Sequence, residues 1–119
     1  MSIGKPIHHQ INYIEFNVLD MQKTKDFYQN IFGWEFTDYS PGYVGIKSGE
    51  FEVGGFSLAE EVKPGGPLIV LYSENLEESF HSVAKANGEI TKEIFKFPGG
   101  RRFEFLDPNG HEMAVWSDK

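Results

Sequence analysis

The strongest constraint in this sequence is that it carries one structural plan twice. Residues 11–19, INYIEFNVL, alternate apolar and polar side chains, the period-two pattern of a strand with one buried face. Ile14, Phe16 and Val18 point one way; Tyr13, Glu15 and Asn17 point the other. Asp20 can then cap a helix by accepting free backbone N–H groups. Met21, Thr24, Tyr28 and Ile31 recur at helical spacing with Phe27 and Phe32 beside them, and Gly33 supplies the stop. Short strands are predicted over about 34–39, 43–48 and 52–58, parted by the turn residues Ser40-Pro41-Gly42 and Ser48-Gly49.

The segment EEVKPGGP, 60–67, has no periodicity and several breakers, and reads as a linker. The plan then begins again. LIVLYS is an apolar strand. Asn75 opens a helix, with Glu78 three residues on as its capping-box partner. Leu76, Phe80, Val83 and Ala84 form the apolar face, and Gly88 ends it. Strands are predicted at about 89–95, 101–106 and 112–117, the last two joined by the tight-turn sequence Asp107-Pro108-Asn109-Gly110. A shift of 55 lays Met21 on Leu76, Thr24 on Ser79, Tyr28 on Val83, and Ile14 and Phe16 on Ile69 and Leu71. Caps, stops and apolar faces coincide at one offset, so the two strand–helix–strand–strand–strand halves read as a repeat.

The chain has 119 residues, enough for one domain built of two small halves. An apolar share of 39% and an aromatic share of 15% can build a core. A net charge of −7 argues against nucleic acid, which needs a clustered positive surface. There is no cysteine, which excludes disulfides, zinc–thiolate sites and thiol nucleophiles. No apolar run approaches a membrane span and the N-terminus lacks the apolar core of a signal peptide, so the cytoplasm is the simplest location. No glycine pair leads from a strand into a helix as a phosphate loop does, and no nucleophile elbow appears.

With DMQKTKDFYQNIFGW after the first strand and RRFEFLDPNGHEMAVW at the end, the chain resembles the glyoxalase/bleomycin-resistance/dioxygenase proteins, the vicinal oxygen chelate superfamily. The matching residues are Asp20, Phe27-Tyr28, Phe32-Gly33-Trp34, Phe105, Asp107-Pro108 and Gly110. The resemblance implies an α+β fold. Two βαβββ modules, about 9–59 and 68–117, would form a curled, cup-shaped mixed sheet with the helices outside, a ligand in the cup, and a homodimer. It also implies where metal ligands would stand. The positions fall on Tyr13, Leu68, Ala114, and a fourth near Gly55 or Phe56, with Glu52 or Glu60 as the alternative for the fourth if a gap shifts the register. Leucine and alanine cannot bind a metal and neutral tyrosine is a poor ligand. The expectation is therefore no metal site and no cofactor, with a divalent ion as the alternative.

His8 and His9 precede the first strand, and adjacent side chains of an extended segment diverge; they read as a solvated N-terminal arm. His111 is expected at the rim of the tight turn and His81 exposed on the second helix. If the polar faces line a cup, Tyr13, Glu15, Tyr43, Phe56, Tyr72 and Trp116 are its ligand-contacting candidates. Trp116 offers a flat face to an aromatic or cationic ligand, or covers a dimer contact. Arg101 and Arg102 should face opposite ways, one able to clamp an oxyanion or to neutralise Glu104, Glu112 or Glu15. Glu15, Glu104 and Glu112 are the carboxylates placed for acid–base chemistry. Three functions remain open: a metal-independent binder of a small organic ligand, similar to drug-sequestering resistance proteins; a glyoxalase-like lyase, isomerase or dioxygenase relative with relocated ligands or carboxylate chemistry; and a dimeric accessory protein with an empty cup.

Overall fold

The computed structural model describes residues 6–62, 65–86 and 88–119. The fold is α+β, with two βαβββ modules in chain order: β1 (Ile11–Val18), α1 (Met21–Phe32), β2 (Glu35–Ser40), β3 (Tyr43–Ser48), β4 (Phe51–Leu58), then β5 (Leu68–Tyr72), α2 (Leu76–Lys85), β6 (Glu89–Phe97), β7 (Gly100–Leu106) and β8 (Glu112–Ser117). The chain divides into two compact units. Module one is Tyr13–Pro67; module two is Leu68–Lys119 together with the segment 6–12. Of the expected linker 60–67, Lys63 and Pro64 lie outside the described residues.

In module one the strands run β2-β3-β4-β1, with β1 parallel to β4 and the other pairs antiparallel. The strand parity read from β1 holds. Phe16 and Val18 face α1 and pack with Phe56, Ile46, Met21, Tyr28, Trp34 and Phe36. Tyr28 is the hub: its ring stacks on Trp34 at 4.4 Å and lies 5.6 Å from Phe56. Asp20 caps α1, accepting the Lys23 N–H at 2.9 Å, and Gly33 ends it in the left-handed conformation at φ 72°, as the sequence requires. Ile31, expected on the packed stripe, is instead 60% exposed in the last turn, beside Phe32 at 63%.

Module two repeats the arrangement as β5-β8-β7-β6, with β5 parallel to β8. Leu76, Phe103 and Val115 form its core, flanked by Leu71, Phe80, Val83, Ile90 and Ile94. Asn75 caps α2, accepting the Glu78 N–H at 3.1 Å. The helix stops at Lys85 with Ala86 as its cap, ahead of the expected Gly88. Gly88 is needed for closeness instead: a Cβ there would collide with Val83, whose carbonyl accepts the Gly88 N–H at 3.2 Å. The Asp107 turn forms as read. The Gly110 N–H bonds Asp107 O at 2.9 Å, and Asp107 Oδ1 accepts the Asn109 and His111 N–H groups. Those backbone donors, His111 first, hold the Asp107 carboxyl below its ordinary range.

The N-terminal arm differs from expectation. It is tied to module two by hydrogen bonds. The His9 N–H bonds Tyr72 O at 2.6 Å, and the Tyr72 N–H bonds Gln10 O at 3.2 Å. His8 Nδ1 accepts the Glu74 N–H at 2.8 Å, and the two imidazoles stack at 3.6 Å. The stacking is possible because His9 takes a left-handed backbone, φ 65°, so the segment is not extended there and the two side chains do not diverge.

Candidate functional site

The face of the module-one sheet turned away from α1 carries a polar cluster. β1 contributes Tyr13 and Glu15, two residues apart and so on one face. β3 contributes Tyr43, β4 contributes Glu52 and β2 contributes Tyr39. Tyr13 Oη and Tyr43 Oη are 2.7 Å apart. Tyr13 Oη lies 3.1 Å from Glu52 Oε2, and Tyr43 Oη lies 3.2 Å from Glu15 Oε1. The Tyr39 hydroxyl donates to Glu52 Oε1 at 2.5 Å.

Two glycines make room for this cluster. Gly45 and Gly55 face each other across the β3–β4 pair. A Cβ on Gly55 would fall on the hydroxyls of Tyr43 and Tyr13, and one on Gly45 would fall on the Glu52 carboxylate. Gly54 has a different reason: its Cβ would strike the Ile14 carbonyl of the neighbouring strand. A bulge between Ile46 and Lys47 shifts the β3–β4 register and pairs Lys47 with Glu52.

The environment keeps both inner phenols protonated. Tyr13 is pushed far above the ordinary tyrosine range, first by burial and then by its contact with Tyr43. Tyr43 is likewise raised, chiefly by burial, with the Glu15 charge adding to it. Half-buried phenols beside carboxylates resist ionisation because a second negative charge would be poorly solvated.

Phe56 does not belong with these residues. It is 1% exposed and pairs with Phe16 under α1, on the opposite face from Tyr13 and Glu15. The expected ligand contact there is corrected by parity: the β4 residue on the polar face is Gly55. Tyr39 was not among the candidates, and Glu52 was weighed only as a metal ligand displaced by a gap. Glu52 enters through the bulge, which no residue of the sequence announces. The opposed glycines at 45 and 55 were the available signal.

Module two separates the two arginines. Arg101 turns toward α2, its Nη1 ion-paired to Glu77 Oε2 at 2.5 Å. Arg102 lies on the other face, 2.9 Å from Glu104 Oε2, with its guanidinium 5.4 Å from the Phe95 ring and 5.9 Å from that of Phe97. Lys92 Nζ is 3.9 Å from Glu104 Oε1. On this same face Trp116 lies 5.2 Å from Tyr72 and 6.3 Å from Phe97, and its indole N–H donates to Asn12 Oδ1 at 3.0 Å. The Tyr72 hydroxyl donates to Asp118 Oδ1 at 2.6 Å. Glu112 opens β8, exposed, opposite Leu106.

The donor set at the metal positions implied by the resemblance does not fit an ion. Tyr13 holds its proton, Leu68 and the fully buried Ala114 carry no donor, and Phe56 is in the core. Among the described residues no three His, Asp or Glu side chains are grouped to hold a metal. Two shallow hollows of about 350 and 310 Å³ also lie in module one. The first lies between Met21, Lys25, Asp38, Tyr39 and Val44; the second between Ile14, Phe16, Trp34, Ile46 and Val53. Neither contains Tyr13 or Tyr43.

Comparison with known proteins agrees with this architecture. A profile of the Glyoxalase/Bleomycin resistance protein/Dioxygenase superfamily matches residues 10–115. The chain is similar to a Mn(II)-bound glyoxalase from Novosphingobium aromaticivorans, with TM-score 0.70 and 25% identity, over 93% of this chain and 39% of that one. It thus spans about two fifths of that protein's length. A superfamily member from Vibrio splendidus 12B01 shares the fold at TM-score 0.70 and 14% identity, covering 92% of this chain and 98% of that one. So does methylmalonyl-CoA epimerase from Mycobacterium tuberculosis, at TM-score 0.68 and 9% identity, covering 98% and 92%. Among curated proteins none matches. With the profile spanning nearly the whole chain, this protein belongs to the glyoxalase/bleomycin resistance protein/dioxygenase superfamily.

Proposed function

We propose that this chain binds a small organic ligand on the helix-free face of module one, without a metal ion. The observation that carries this reading is the Tyr13–Tyr43–Glu15–Glu52 cluster seated over Gly45 and Gly55. A sheet surface built only for stability would fill those two positions with side chains that bury apolar area. Here the space goes to hydroxyls and carboxylates, which fix a ligand's orientation by hydrogen bonds. The donor set at the family's metal positions supports the metal-free part of the reading. The aromatic face of module two, with Trp116, Tyr72, Phe97 and Arg102, offers a second surface suited to planar or anionic groups.

A thermal-shift screen of small polar aromatics and metabolite-like acids and amines tests this. A ligand of the folded state adds stability by mass action, about 2.7 kcal/mol at a hundredfold excess over Kd, and so raises the melting temperature. The expected result is at least one compound that stabilises the natural protein and loses its effect in Tyr43→Phe. No stabilising compound, or hits indifferent to Tyr43→Phe, would remove the reading.

A further inference from the structure

Glu52 is a half-buried carboxylate with no cation beside it. Its Oε1 accepts the Tyr39 hydroxyl at 2.5 Å, and its Oε2 lies 3.1 Å from the Tyr13 hydroxyl. Among the described residues no Lys, Arg or His nitrogen lies within ion-pair distance of it. Other carboxylates of the chain are matched: Asp38 with Lys25 at 2.7 Å, Glu77 with Arg101 at 2.5 Å, and Glu104 with Arg102 at 2.9 Å. Withdrawing a charge from water is costly unless an opposite charge meets it. The two phenols take two of the carboxylate's about four lone-pair sites and bring no charge. The opposite charge at Glu52 has to come from outside the chain.

The surroundings suit a particular kind of cation. A Cβ on Gly45 would fall on the Glu52 carboxylate, so that carboxylate lies against the β3 backbone where a side chain is missing. Tyr39 beside it is 60% exposed, and its ring lies 6.3 Å from that of Tyr43 at 47°. Aromatic faces attract positive charge through the ring quadrupole, and a carboxylate accepts strong hydrogen bonds from charged N–H donors. The three phenols stay neutral. The hydrogen bond to Glu52 raises Tyr39; burial raises Tyr13 and Tyr43, and the Glu52 charge adds to both.

We propose that the ligand of this face is a small organic cation, bearing an ammonium or amidinium nitrogen, and that Glu52 selects it. This rests on the ligand reading above and adds to it the sign of the ligand's charge. The nitrogen donates to the unused lone pairs of Glu52 and packs on the rings of Tyr39 and Tyr43. Carboxylate ligands are turned away by the same charge. The site needs Glu52, not Glu15, which lies beyond Tyr43 at 3.2 Å. The protein cation nearest in register is Lys47, whose backbone pairs with that of Glu52. It is exposed and does not reach the carboxylate.

The test titrates the 15N-labelled protein with ring compounds that differ in charge: benzylamine and benzyltrimethylammonium, benzyl alcohol, and phenylacetate. The backbone resonances of Gly45, Glu52 and Gly55 report on the site. Both cations should shift them saturably, and the neutral and anionic compounds should bind at least about tenfold more weakly. Glu52→Gln keeps the shape and one acceptor oxygen but removes the charge, and should weaken both cations by about tenfold. Lys47→Gln should leave them unchanged or tighten them. Equal binding of benzyl alcohol or phenylacetate at these residues would overturn the selection while leaving a ligand site in place. Cation binding indifferent to Glu52→Gln would overturn it, and so would resonances that neither cation moves. If Glu52→Gln fails to fold, the charge ranking on the natural protein decides alone. A neutral or anionic hit in the thermal-shift screen, dependent on Tyr43, would sustain the ligand reading and sink this one, so the two fail separately.

Discussion

Gly55 is where one missing atom decides what a face can do. Its Cβ would occupy the space of the Tyr13 and Tyr43 hydroxyls. Gly55→Ala must push those rings off their contacts in a half-buried setting, where overpacking costs about 1–3 kcal/mol. Urea unfolding should register that loss, and the tyrosine-dependent ligand response should vanish with it. The second residue-scale case is Tyr72, whose ring is 3% exposed and whose hydroxyl donates to Asp118. That hydrogen bond, ahead of burial, pushes Tyr72 up to about 12 from an ordinary 10, and it holds Asp118 below its usual value. A raised folded-state value means the stabilisation is complete below the unfolded-state value and fades as pH rises. The Tyr72 contribution should therefore be present to about pH 10 and lost by about pH 12. Asp118 acts at the other end: its share is present above about pH 3.8 and is lost on further acidification. Denaturation midpoints followed from pH 9 to about 12 check the first limb, and Tyr72→Phe should make it shallower, with the raised Tyr13 and Tyr43 supplying the slope that remains. Side-chain parity on β1 was legible in the sequence because alternation depends on nothing beyond the strand itself. The glycines were legible as breakers but not as space, since the atoms they admit come from three other strands.

Among the elements, the helices were the most readable because their ends are local chemistry. Asp20 and Asn75 each accept the N–H three residues on, at 2.9 and 3.1 Å. Asn75→Ala should cost about 1 kcal/mol, the usual loss when a cap leaves a first-turn N–H unpaired. Thermal melts of the variant check this, and Asn75→Ser, which keeps an acceptor, should recover most of the loss. The C-terminal end of α2 was less readable. Gly88 was taken for the stop, yet the helix closes at Lys85 and glycine serves the contact with Val83. Strand limits were found to within two residues, but the bulges were not. Breaks in register at Asp38/Ser40, Ile46/Lys47, and on either side of Lys92 in β6 arise from pairing, and pairing is long-range information that no single strand carries. The bulge after Ile46 mattered most, because it brings Glu52 into the cluster. The histidine arm was misread for a similar reason: its order comes from Tyr72 and Glu74, more than sixty residues downstream.

At the scale of the whole molecule, the repeat is what made family membership visible, and the same repeat sharpens the departure from it. The family resemblance implies positions for metal ligands, one of them through the repeat offset, and here they hold Tyr13, Leu68 and Ala114. A catalytic ion needs about three protein donors. Tyr13 would have to surrender a proton that burial and its carboxylate neighbours hold tightly. Manganese, the ion of the Novosphingobium relative, is a discriminating probe. A folded-state ligand at a hundredfold excess over its Kd would add about 2.7 kcal/mol, several degrees in a protein of this size. The expected outcome is no change in melting temperature on adding Mn(II) or Zn(II), and none on adding EDTA. A rise of several degrees at stoichiometric Mn(II), abolished by Glu52→Gln, would mean that the carboxylates of module one act as metal ligands.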